Sequence, residues 1–169
     1  MIVGTLSLRN LSLIAVVASC LIQVGAQLFA VVVVVATVTE APPRSLAILS
    51  GKYGYDSGPF WDVMPMVTGV LLLVALATNW TTPRRSLLLG AAVAFIVAGL
   101  FVAFVMAPVQ SDVVSAGYSD TVNEGLRARA AWWYTLDWIS WTLALLVGLL
   151  LLIALAIPVS DRIHPRPAA

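Results

Sequence analysis

The sequence reads as an all-α protein, a four-helix transmembrane bundle with two long outer loops. Three observations carry this reading. Four apolar runs, at about 11–38, 63–79, 86–108 and 138–157, take up most of the 169 residues. Each is near or above the roughly 20 helical residues that cross a hydrocarbon core of about 30 Å. Hydrophobic residues make up 61% of the chain and charged residues only 10%, whereas a soluble domain carries about 25% charged residues to cover its surface. Within lipid the backbone must satisfy its own hydrogen bonds, so each run becomes a helix. The length fits one integral membrane domain over 1–169, with no separate soluble module.

Composition also removes function classes. A net charge of +1, with no basic stripe interleaved with aromatics, makes no case for nucleic acid. Cys20, the one cysteine, lies inside the first run, and His164, the one histidine, lies in the C-terminal tail. Neither an internal disulfide nor a multi-ligand zinc or haem site can be assembled from them, so no metal and no cofactor are expected. Phosphate-cradling glycine loops are missing as well. The segment from Arg9 to Ala26 resembles a cleavable signal, and Val17-Ala18-Ser19-Cys20 resembles a lipobox. The apolar run nevertheless continues unbroken to Val38, well past the roughly 7–15 residues of a signal core. An uncleaved first span is therefore expected.

Gln23 and Gln27, four residues apart in that span, share one helix face. Hydrocarbon penalises an unpaired amide, so the face should point into the bundle. The amides then act as interhelical glue, worth about 0.6 kcal/mol per contact, or as groups that meet a ligand. Residues 39–62 form the first long loop. Pro42-Pro43 stops the first helix, a short surface helix is expected at 45–49, and Tyr53, Tyr55, Phe60 and Trp61 have the character of a water–lipid boundary. The alternative for these rings is a lid over a bundle cavity.

The second and third spans are joined by the tight polar turn Asn79-Trp80-Thr81-Thr82-Pro83-Arg84-Arg85. The third is expected to end at Pro108, and 109–131 to form the second long loop. In Thr121-Val122-Asn123-Glu124 the threonine and glutamate match a capping box. That starts the last helix near 122 and runs it to 157, a rod of roughly 54 Å at 1.5 Å per residue, part of which stands above the hydrocarbon.

For orientation, Arg9, Arg84, Arg85, Arg162 and Arg166 lie on the side of the termini, and Arg44, Lys52, Arg127 and Arg129 on the side of the long loops. The excess is small, but Arg84-Arg85 is compact and adjoins two spans, where the positive-inside rule counts most. Both termini are expected in the cytoplasm, with the protein in a plasma membrane of bacterial type.

The stretch from Arg127 to Trp141 is richest in chemistry. Trp133, Asp137 and Trp141 repeat every four residues along one stripe, flanked by Tyr134 and Trp138. An acid at the edge of the apolar core is costly and is by default a functional-site hypothesis. Asp137 is the candidate catalytic residue; Gln23, Gln27, Gln110, Trp133, Trp138 and Trp141 are the candidate ligand-binding set. Possible partners for the acid are Arg127, Arg129, Arg44, Lys52 and Gln110. Along a straight helix Arg127 and Arg129 stand roughly 12–15 Å away, which favours Gln110 or the 44–62 loop as donor. The competing reading is an interfacial aromatic belt whose aspartate touches water.

The order of these features resembles a known family. A glutamine- and glycine-bearing first span is followed by a long loop. Two spans then flank Asn79-Trp80…Arg84-Arg85, Pro108-Val109-Gln110 follows the third, and an acid-to-arginine helix with tryptophans leads into the fourth. This is similar to the anthrone oxygenase-like family of small four-helix membrane proteins, over about 10–157. Gln110 stands where members often carry asparagine, and Asp137 where many carry histidine or arginine. Two functional expectations result. One is a membrane protein that binds a membrane lipid or small hydrophobic ligand in an outer-facing cavity, or pairs with membrane-protein partners. The other, implied by the resemblance, is a cofactor-independent oxygenase of an aromatic or quinol-like substrate.

Overall fold

The computed structural model describes residues 7–158; Arg162, His164 and Arg166 lie outside them. Four long helices and no strands occur among the described residues: α1 (Leu8–Glu40), α2 (Gly58–Thr78), α3 (Arg85–Val114) and α4 (Glu124–Ala156). All four are apolar and long enough to cross a bilayer. The fold is an all-α four-helix bundle, and the protein is an integral membrane protein.

Ser7 caps α1, its hydroxyl accepting the Asn10 N–H at 3.4 Å. The helix widens into a π turn at Ala30–Val35 and stops at the Pro42-Pro43 pair. A 3-10 helix, Arg44–Leu49, follows at the expected place. It is not free on the surface: Leu46 is buried, and the Ser45 hydroxyl donates to the Val38 carbonyl at 2.5 Å. The chain then turns back on itself, with the Tyr55 N–H donating to the Ile48 carbonyl at 2.9 Å. Gly54 permits this approach, since a Cβ there would lie 2.5 Å from the Leu49 carbonyl oxygen. Gly54→Ala should force the loop apart and cost about 1–2 kcal/mol. Thermal unfolding in detergent checks this, and an unchanged midpoint would contradict the close return.

Three boundaries differ from the expected ones. The second helix starts at Gly58 rather than near 63, because Asp56 Oδ1 accepts the Gly58 N–H at 2.8 Å and Pro59 occupies the first turn, where a missing N–H costs nothing. The third runs through Pro108 to Val114 instead of ending there. A π turn at Val102–Met106 widens the helix just ahead of the ring and relieves the clash that breaks a regular helix. In the fourth, the cap is Asn123 and not Thr121: Asn123 Oδ1 accepts the Leu126 N–H at 3.1 Å. The Asn123 N–H donates to the Pro42 carbonyl at 3.1 Å, which docks the start of α4 on the segment just after α1. From there α4 is continuous to Ala156.

Helix α1 packs along α2 and α4, and α4 packs along α3, while α2 and α3 touch only sparsely. Two separate cores result. One, toward the tight turn, joins Leu13, Val16, Val17 and Cys20 to Leu72, Ala75, Leu88, Ala91, Val147 and Leu151. The other, at the loop end, joins Val34, Val35, Val38 and Leu46 to Val113, Ala130 and Trp133.

The turn end is tied by polar contacts. The Asn79 amide donates to the Ala75 carbonyl at 2.9 Å and the Arg9 carbonyl at 3.3 Å, and Ser12 meets Thr78 at 2.8 Å. Arg84, expected as a free topogenic charge, is instead buried. Its guanidinium donates to the Ile157 carbonyl at 2.7 and 3.0 Å and to Asn10 Oδ1 at 2.7 Å. Arg85 remains outside and lies over the Trp80 ring, 4.0 Å from its centroid.

Candidate functional site

Between the two cores the bundle encloses a cavity of about 820 Å³, within the range of small-molecule sites. Its walls follow from helix periodicity. On α4, Trp133, Asp137, Ser140, Ala144 and Val147 fall on one stripe at alternating spacings of four and three. On α1 the same spacing brings in Cys20, Gln23, Gln27, Ala30 and Val34. Helix α3 contributes Phe95, Gly99, Val102 and Met106, and α2 contributes Trp61 and Pro65. Tyr55 and Asp56 stand at the loop end. Both π turns supply lining residues, a placement common where a helix is widened for function.

Five of the seven sequence-derived candidates meet here: Gln23, Gln27, Gln110, Trp133 and Asp137 all line the cavity. Gln110 does so from within α3, because that helix continues past Pro108. Trp138 and Trp141 do not line it. Trp138 lies one residue on from Asp137, about 100° around the helix, and stacks edge-on with Tyr134 at 6.3 Å and Trp141 at 5.6 Å. Trp141 shares the Asp137 stripe, but its indole reaches across to α1 and donates to the Val24 carbonyl at 3.3 Å.

Polar groups inside are few and differ in how well they are satisfied. Gln23 donates to Thr68, which also meets Ser19 at 2.6 Å and so ties α1 to α2. Gln27 Nε2 donates to Ser140 Oγ at 2.8 Å and ties α1 to α4. Both amides thus serve as interhelical glue and as cavity wall. Asp137 is buried, 6% exposed, with the Gln27 amide nearby but bonded to Ser140. Neither Gln110 nor the 44–62 loop, the expected donors, hydrogen-bonds to Asp137 among the described residues. The arginines of its own helix are engaged elsewhere, Arg129 with Asp112 and Arg127 with Glu124 at 3.7 Å. Among the described residues no cation pairs with Asp137.

Trp133 is the second unsettled group. It is 5% exposed, and its indole N–H is buried with no hydrogen-bond partner. A buried N–H without an acceptor costs about 1–3 kcal/mol. Four residues apart on one helix face, Trp133 and Asp137 both line the cavity, but the Trp133 N–H itself is shut off from it.

No protein-family model, curated protein or solved structure matches this chain. The chemistry must therefore be read from the site itself. Among the described residues the lining holds two acids, Asp56 and Asp137, and no lysine, arginine or histidine. No group of three or more metal-binding side chains occurs among them either. Sequence reasoning missed Ser140 and Thr68, although hydroxyls within apolar spans are a readable signal. It also missed Pro65, Phe95 and Gly99, which carry no chemical signal and line the cavity only because α2 and α3 stand apart; Tyr55 and Trp61, read as an interfacial cluster or a lid over a cavity, line it too.

Proposed function

We propose that this protein binds a small hydrophobic or lipid-like molecule in the cavity at the loop end of the bundle. The single observation that carries the reading is a buried carboxylate, Asp137, with no cation beside it, on the wall of one apolar cavity. In a bundle that serves only as scaffold, such a group is an uncompensated cost. A ligand that bonds to the carboxylate removes it. Mass spectrometry of organic extracts from the purified protein tests this: one amphiphile class should be retained by the wild type and lost on Asp137→Leu. Extracts of both proteins with the same lipids in the same amounts would contradict it.

A second reading, a cofactor-independent oxygenase of the anthrone type, has one observation in its favour. Asp137 is a carboxylate facing an apolar cavity that would hold an aromatic substrate, and it is placed to take a proton from it. Substrate consumption that requires Asp137 and yields an oxygenated product would favour this reading over binding alone.

We further propose a plasma membrane of bacterial type, with both termini in the cytoplasm and the cavity on the outer side. With Arg84 buried as a helix clamp, the free basic residue of the turn is Arg85. In a Cys20→Ser background, Ser57→Cys should be labelled from outside intact cells by an impermeant maleimide and Ser86→Cys should not. The opposite pattern would invert the orientation.

A further inference from the structure

The ionisable groups on the cavity wall that carry charge near neutral pH are all of one sign. We infer that the cavity takes a lipophilic organic cation, a protonated amine carried on an apolar or aromatic body. This rests on the binding reading above and names the chemical class of its ligand.

The sign follows from the lining. Asp56 and Asp137 are acids, and no lysine, arginine or histidine lines the cavity among the described residues. The two acids differ in setting: Asp56 is exposed in the loop ahead of α2, and Asp137 is buried within the bundle. The arginines on the same helix as Asp137 are committed elsewhere, Arg129 to Asp112 and Arg127 to Glu124. The neighbouring Gln27 amide donates to Ser140. Asp137 thus lacks a countercharge. Nor is it sealed: among the described residues the buried side-chain atoms shut off without a partner are Asn79 Oδ1 and Trp133 Nε1, whereas the Asp137 carboxylate opens onto the cavity.

A protonated amine supplies both things that the carboxylate is missing, a positive charge and N–H donors. A hydrogen bond between two ionised groups is roughly twice as strong as a neutral one. The rest of the wall suits the body of such a molecule. It is mostly apolar and includes the rings of Tyr55, Trp61 and Phe95; aromatic rings pack against an apolar body and attract a cation through their faces. Other ligand classes fit less well. A carboxylate or phosphate head would meet two like charges and no basic side chain. A neutral head would leave Asp137 without a countercharge. An inorganic cation such as calcium takes about six to eight oxygen ligands, and no group of three metal-binding side chains occurs among the described residues.

The experiment uses the full chain in lipid nanodiscs, with empty nanodiscs as the blank, and measures equilibrium binding of three probes at pH 7.4. These are 6-phenylhexylamine, 6-phenylhexanol and 6-phenylhexanoate, which share one body and differ in the charge of the head. Saturable binding of the amine is expected, tighter than that of the other two by about tenfold or more, the range of one hydrogen bond to a charged group. Asp137→Asn keeps the size of the side chain and removes its charge, so amine affinity should fall to that of the alcohol. Asp56→Asn should weaken amine binding less, and only at low salt, because an exposed charge is screened. The preference is read in the wild type and so is decided even if a variant fails to fold. If the alcohol or the carboxylate binds as tightly as the amine, or Asp137→Asn keeps the preference, the cation assignment is wrong and the cavity-binding reading stands. No saturable binding of any probe would overturn the inference. It would overturn the reading beneath it as well if wild type and Asp137→Leu also yield identical lipid extracts.

Discussion

Replacing Arg84 by methionine is expected to destabilise the bundle by about 3 kcal/mol or more, the largest effect of any single change outside the apolar cores. The last carbonyls of a helix have no partner within it. At the end of α4 the Arg84 guanidinium supplies one, donating to Ile157 through two nitrogens while a third bond holds Asn10 at the start of α1. Methionine preserves most of the side-chain volume and removes every donor, leaving half-buried acceptors on Asn10 and Ile157. Arg84→Lys should recover little, because a single ammonium cannot reproduce the planar fork that reaches both. Thermal unfolding in detergent micelles measures the effect. A midpoint within a degree or two of wild type for Arg84→Met would show that the clamp is dispensable.

Asp137→Leu should separate stability from function. A carboxylate inside an apolar bundle, with one amide neighbour and no cation, disfavours the folded state. Leucine has the same branched shape and its extra bulk can extend into the adjoining cavity, and replacing buried charges with packed apolar groups is often neutral or stabilising by about 1–4 kcal/mol. Gln27 keeps Ser140 as a partner, so no new unsatisfied group arises on that side. The variant is therefore expected to unfold at a temperature equal to or higher than wild type and to lose its ligand. Asp137→Asn, which keeps an acceptor oxygen but not the charge, should fall between them. A leucine variant that is strongly destabilised would show that Asp137 is structural. One that binds as well as wild type would show that the carboxylate is not part of the site.

Much of the fold was legible because it depends on one dominant quantity. Hydropathy over about 20 residues located all four spans, and the capping region of α4 was placed to within a few residues. Pro108 was misread because a proline stops a regular helix, whereas α3 absorbs it by widening over Val102–Met106; nothing local in the sequence announces that widening. Arg84 was misread for a different reason. A sequence counts charges but not their burial, so a helix clamp and a topogenic residue look alike. On α4 the sequence reading of a Trp133, Asp137 and Trp141 stripe placed the first two on the cavity wall but not Ser140. Trp141 follows the same period and still leaves the cavity, because the Val24 carbonyl on α1 offers its N–H a partner. The cavity itself had no signature, since it arises from sparse contact between α2 and α3.

The central claim, that the cavity beside Asp137 is a ligand site within a lipid-embedded bundle, is tested most directly by an electron cryomicroscopy structure of the protein in lipid nanodiscs, with a rigid binding fragment added for size. The account predicts elongated non-protein density in the cavity, with a polar group within hydrogen-bond distance of the Asp137 carboxylate. A bundle in which α2 and α3 close on each other, with side chains filling the space beside Asp137, would contradict it.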